Sequence, residues 1–168
     1  IYNTEAAFIP IMRLFLRSQG GRSLLLVVFF GTLGLSMQDI LLEPYGGEIL
    51  GLSVAATTNL TAIWVVGALG GLFIASRSLK RKRGGPVKSI VFALFSAIGG
   101  LCSVIMSDPM NLALLYYFGS FLIGLGTGLF AVSTLIIAMT IPISKGTGRG
   151  LVLGAWGAAQ ATAAGLGI

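Results

Sequence analysis

Five stretches of this chain carry no charged residue at all: 23–38, 49–76, 89–107, 109–144 and 150–168. The linkers between them alternate in sign. Arg13, Arg17 and Arg22 precede the first stretch, and Asp39, Glu43 and Glu48 follow it. "SRSLKRKRGGPVK" (76–88) follows the second, Asp108 the third, and Lys145 and Arg149 the fourth. Uncharged apolar runs of about 18 or more residues have the length of a helix that crosses a bilayer. All 11 basic residues then fall on one side of that bilayer and four of the five acidic ones on the other. Basic loops stay cytoplasmic, so the pattern predicts five crossings, with the N-terminal side of the chain inside. Topology accounts for the basic run, and nucleic-acid binding is set aside as the reason for the net charge of +6.

Composition excludes the soluble alternative. With 55% hydrophobic and 10% charged residues, and a mean hydropathy of +0.96, the chain has too few charges to cover a water-facing surface. Its 25 glycines suggest close helix packing in a membrane rather than disorder. Cys102 stands alone, so no internal disulfide forms. The absence of His removes imidazole metal sites, His general bases and Ser–His triads together, and no metal site is expected. The chain opens on Ile1 without Met and stops inside an apolar run, as part of a larger protein would.

The predicted fold class is an all-α polytopic membrane protein, with helices at about 22–43, 49–76, 89–107, 110–142 and 149–168. Residues 109–144 are long for one crossing of a hydrocarbon core about 30 Å thick. Two crossings would put Asp108 and Lys145 on the same side and break the alternation, so one long tilted helix ending near Pro142 is predicted. Residues 1–21 read as a cytoplasmic connector. Within it "AAFIPIMRLFLRSQGGR", with Arg13 and Arg17 one helical turn apart, suits an interfacial helix as well as a plain linker.

Small residues recur four apart at Gly67 and Gly71, Gly124 and Gly128, and Gly150 and Gly154, the last row continuing to Ala158 and Thr162. Such rows let helix backbones approach closely, either as static packing or where helices slide as in transporters. No phosphate cradle is credible, because none of the rows follows a strand or ends in Gly-Lys-Ser/Thr.

The segment "SMQDILLEPYGGEILGLS" (36–53) holds three of the five acids. Arg22 and Asp39 are 17 residues apart, about 25 Å of helix, so the first helix is expected to continue through Leu42. Asp39 and Glu43 then share a face one turn apart near the membrane rim. A carboxylate at mid-membrane costs about 2.5–3.5 kcal/mol on insertion scales, less near the interface, so Asp39 should face the protein interior or a wet cavity. Pro44 and the Gly46–Gly47 pair are expected to break the helix, with Tyr45 anchored at the headgroups. Two readings fit. The acids merely mark the non-cytoplasmic side, or Gln38, Asp39, Glu43 and Tyr45 build a polar site that opens outward. Asn59, Thr57, Thr58 and Thr61 on the next helix would complete that site, and Gln160 on the last helix joins the candidates.

The short basic loop after the second helix, preceded by Gly67, Gly70 and Gly71, resembles the loop that recurs in each half of major facilitator proteins. It departs from that pattern at Ser76-Arg77, where Asp-Arg would stand, which puts conventional transport gating in doubt. More specific are "MQDILLEPYGGEILGLSVAATTNLTA" (37–62), "GLFAVSTLIIAM" (128–139) and "GLVLGAWGAAQATAAGLGI" (150–168). Together they resemble the PucC/LhaA family of phototrophic bacteria over most of residues 13–168. The resemblance implies part of the C-terminal half of a major-facilitator-like bundle, roughly helices seven to eleven of twelve, in a photosynthetic inner membrane. It also implies a factor that assembles light-harvesting antenna complexes and hands (bacterio)chlorophyll to antenna polypeptides. A small-solute transporter and a structural subunit of a photosynthetic complex are the alternatives. An older family label, bacteriochlorophyll synthase, implies an enzyme, but the chain has no Asp-rich Mg-diphosphate motif and no nucleophile–base pair. A non-enzymatic carrier is therefore expected, with oxygen donors or water holding the chlorin Mg transiently.

Overall fold

The computed structural model describes residues 13, 17–51, 53–80, 85–110, 112–141 and 148–167. Five helices make up almost all of it: α1 (Gln19–Pro44), α2 (Val54–Lys80), α3 (Pro86–Ser107), α4 (Ala113–Thr140) and α5 (Gly148–Gly167). Most of the connector 1–21, the end of the fourth stretch at Pro142, and the basic residues 81–83 lie outside the described residues. Four helices, α1 to α4, are long and apolar enough to cross a membrane. The chain is an all-α polytopic membrane protein. At 20 residues, α5 also has the length of a crossing, about 30 Å.

Sequence explains the helix starts. The Ser18 hydroxyl accepts a hydrogen bond from the Gly21 amide at 3.1 Å and caps α1. Pro86 sits in the first turn of α3, where no N–H is needed.

The end of α1 differs from expectation. Pro44 does not break the helix; the chain runs on in a π-helical turn, Tyr45–Ile49, and leaves it only at Gly51, whose φ of 62° is left-handed. The Tyr45 amide reaches the Leu41 and Leu42 carbonyls, and the Leu50 amide donates to the Tyr45 carbonyl at 3.3 Å. Gly46 is likewise not a breaker. It is buried where the Tyr116 hydroxyl crosses over it, and a methyl there would collide with that hydroxyl.

The hub is α4. Half of its most apolar window is buried inside the fold, against 22% to 33% for the other three spans. On one side α2 lies along it, with Gly67 and Gly71 against the Phe121 and Leu125 carbonyls, and Gly124 and Gly128 against those of Trp64 and Ala68. A Cβ at any of these four would collide with backbone, so the two helices touch main chain to main chain. On the other side α3 makes a similar seam through Gly100, Gly119 and Gly126. The Ser96 hydroxyl there donates to the Leu122 carbonyl at 2.8 Å. Ser120 and Thr134 of α4 satisfy their buried hydroxyls within the helix, on the Tyr116 carbonyl at 3.1 Å and the Phe130 carbonyl at 2.9 Å.

The other pairing, α1 with α5, uses larger side chains: Leu24, Val28, Leu151 and Val152 form one buried cluster with Ala138 of α4. Here the expected row does not pack. Among the described residues a Cβ on Gly150 or Gly154 would meet no atom within 4 Å, and both residues are exposed together with Ala158 and Thr162. The face of α5 turned to α1 carries Val152 and Ala163 instead, ending where Gly167 approaches Ser36 and Leu33.

Candidate functional site at the end of the first helix

The C-terminal end of α1 is held by Tyr116. This ring is 0% exposed, and its hydroxyl donates to the Leu42 carbonyl at 2.6 Å. The Tyr45 amide also reaches this carbonyl, so the Tyr116 hydroxyl is a further donor to it, from α4. Tyr45 stacks on Tyr116 with ring centroids 6.2 Å apart, and Tyr117 meets Tyr116 edge-on at 5.8 Å. Leu42, Leu60, Val104 and Ile123 pack around this centre.

Two cavities flank it, one on each side of Leu42. The smaller, of about 230 Å³, lies between α1 and α2 and is lined by Leu42, Glu43, Leu60, Thr61 and Trp64. Its indole donor, Trp64 Nε1, is buried with no hydrogen-bond partner among the described residues. The larger, of about 380 Å³, lies between α1 and α3, with Gln38, Tyr45 and Glu48 set among Leu41, Leu42, Pro44, Ile49, Leu101, Val104 and Ile105. Gln38 is 3% exposed, and neither atom of its amide has a partner among the described residues. Buried polar atoms without partners are rare in native proteins and invite an occupant.

The residues expected to form one polar site are thus divided between two. Glu43 and Thr61 share the α2 side, and Gln38 and Tyr45 share the α3 side with Glu48. The side chains of Asp39 and Thr57 lie outside the described residues. Asn59 and Thr58 are exposed near the start of α2 and line neither cavity, and neither does Gln160, half-buried on α5. Sequence reading missed Trp64 and Tyr116. Both carried a signal, since an indole N–H or phenol in an apolar run needs a partner once buried. Among the described residues no group of three or more Asp, Glu, Cys or His is placed to hold a metal ion. The chemistry on offer is therefore weak and oxygen-based: the exposed carboxylates of Glu43 and Glu48, one on each cavity, and the Gln38 amide, all against apolar walls.

A family model, that of the PUCC protein, matches residues 3–168, which include both cavities. The chain belongs to the PUCC protein family. An "Uncharacterized protein in puhA-bchM intergenic region" from Rhodobacter capsulatus is 45% identical over 151 residues, covering 89% of this chain and 31% of the relative. "Protein PucC" from Rhodovulum sulfidophilum is 41% identical over 168 residues, 98% of this chain and 36% of the relative. A more distant relative, 30% identical over 154 residues (87% of this chain, 34% of its own), is named "Bacteriochlorophyll synthase 44.5 kDa chain" in Rhodobacter capsulatus. This PUCC chain spans about a third of the length of the curated relatives it matches. No solved structure matches it.

Proposed function

We propose that this PUCC segment belongs to a membrane assembly factor for bacterial light-harvesting antenna complexes, one that handles (bacterio)chlorophyll without catalysing a reaction. The observation that carries the reading is the pair of cavities flanking Leu42, each with apolar walls and an isolated, unpartnered polar group. A carrier must hold an apolar pigment and let it go. A carboxylate such as that of Glu43, on the smaller cavity, is a hard donor of the type that suits Mg, and this segment has no His, the ligand usual for permanent axial binding. Small-solute transport is the competing reading. The main-chain contacts that tie α2 and α3 to α4 make these three helices one packed unit, which a carrier and a rocking transporter both accommodate, so the spectrum decides between them.

In this reading the segment sits in the photosynthetic inner membrane as part of a major-facilitator-like bundle, with its basic loops cytoplasmic and the end of α1 on the opposite face. The test is an absorbance spectrum and subunit inventory of the full-length protein purified in mild detergent. Bound (bacterio)chlorophyll together with antenna polypeptides is expected. Colourless protein free of antenna subunits, from cells with altered solute movement, would favour transport instead. Orientation is checked separately: a cysteine at Gly47 should react only with thiol reagent applied from the non-cytoplasmic side, and one at Lys82 only from the cytoplasm. Labelling of position 82 from outside would invert the map.

A further inference from the structure

The larger cavity has a feature that handling of a metal-centred pigment does not require. Gln38 lines it one turn before Leu42, almost wholly buried, with both Oε1 and Nε2 unpartnered among the described residues. Whichever way the amide is turned, it presents one donor and one acceptor. Leaving both unpaired is costly, so the occupant should supply a complementary oxygen.

A single bridging water does not fit the space. The cavity measures about 380 Å³, where one water takes roughly 30 Å³. Its walls beside Gln38 are Leu41, Leu101, Val104 and Ile105, which reward an apolar body rather than a pool of solvent. The volume falls within the range of about 300–1,000 Å³ typical of sites for small organic ligands. Charge narrows the choice further. Among the described lining residues the one carboxylate is the exposed Glu48 and none is basic, so an anionic head such as a fatty-acid carboxylate is repelled.

We infer that the Gln38 cavity binds a long uncharged hydrocarbon chain through a neutral oxygen pole, the chemistry shared by a prenyl or alkyl alcohol and its ester. In the pigment-handling reading, on which only the identity of the natural ligand rests, the occupant is the esterified tail of the pigment. The ring then remains outside the cavity.

The experiment measures equilibrium binding of tritiated phytol and phytyl acetate to the purified full-length protein in detergent, with palmitate and chlorophyll as competitors. At least one of the two probes should bind, and palmitate should not displace it. Gln38→Leu should weaken binding roughly tenfold, the size of one buried hydrogen bond. Ile105→Trp, which fills the cavity from its exposed rim, should weaken it at least as much. Without probe, Gln38→Leu should melt no lower than the wild type, because an unpartnered amide is replaced by an apolar group. A lower melting temperature would mean that Gln38 has a protein partner in the full chain, and would overturn the inference. So would absence of binding, indifference of binding to both substitutions, or equal competition by palmitate. The chlorophyll arm separates the two readings. Probe binding that depends on Gln38 but is unaffected by chlorophyll keeps the cavity and removes the pigment. Chlorophyll binding that ignores both Gln38→Leu and phytyl acetate keeps the pigment and removes the cavity.

Discussion

The seam between α2 and α4 and the glycine row of α5 share one sequence pattern and have opposite fates. Gly67, Gly71, Gly124 and Gly128 lie against backbone carbonyls of the facing helix; Gly150 and Gly154 face open space. Four-residue spacing puts small residues on one side of a helix, but it does not say what that side meets. The α2–α4 seam is decided by reciprocity, since both helices carry a row and each row seats on the other's carbonyls. On the α1–α5 side, α1 offers Leu24 and Val28, and α5 answers with Val152 and Ala163 rather than glycine.

The sharpest way to break this comparison is to put the same side chain into both rows. Overpacking typically costs about 1–3 kcal/mol where side chains can yield. At Gly124 the obstacle is the Trp64 carbonyl, which cannot yield without parting the helices. Gly124→Leu is therefore expected to give the largest loss, seen as reduced membrane accumulation and a lower melting temperature in detergent. Gly154→Leu should leave both unchanged. A comparable fall at Gly154 in the full-length protein would show that another part of the protein packs on that row.

A second contrast sets the seams against the end of α1, where a single hydroxyl does the holding. Tyr116→Phe keeps the ring stack with Tyr45 but removes the donor to the Leu42 carbonyl. The expected loss is about 1 kcal/mol, the usual net value of a buried hydrogen bond, read from thermal unfolding. An unchanged melting temperature would show that the π-helical turn holds without Tyr116. Gly46→Ala tests the same junction from the other side, because its methyl would strike the Tyr116 hydroxyl. Combined with Tyr116→Phe its cost should shrink, and simple additivity would separate the two residues.

How much of this was legible follows from where each property resides. The membrane helices are written in composition and charge, which need no tertiary information: the charge-free stretches contain nearly the whole of α2, α3, α4 and α5. The end of α1 was misread because Pro44 and Gly46 are breakers by propensity, yet a hydroxyl 74 residues away in sequence ties the Leu42 carbonyl to α4. The polar site was read as one because Gln38, Glu43 and Tyr45 are close in sequence. The helix nevertheless presents Gln38 and Glu43 on opposite sides of Leu42, so α2 and α3 each receive part of the set. Trp64, which completes the smaller cavity, was passed over as one more apolar residue of a membrane span.

The smallest expected effect concerns that smaller cavity, and it is functional rather than structural. Glu43 is exposed at its mouth, while the Trp64 indole N–H is buried and unpartnered within it. Glu43→Gln changes charge but hardly shape, and Trp64→Phe removes a donor that nothing in the described structure accepts. Glu43→Gln should change stability by no more than about 0.5 kcal/mol; Trp64→Phe also trims a ring packed on the buried cluster, so its variant is compared at matched accumulation. If the two groups contact one occupant, each substitution should lower the bacteriochlorophyll that co-purifies with the full-length protein, and the double variant should lose little more than either alone. Additive losses would mean that the carboxylate and the indole act on different things. No loss in either variant, with normal accumulation, would leave the larger Gln38 cavity as the working end of α1.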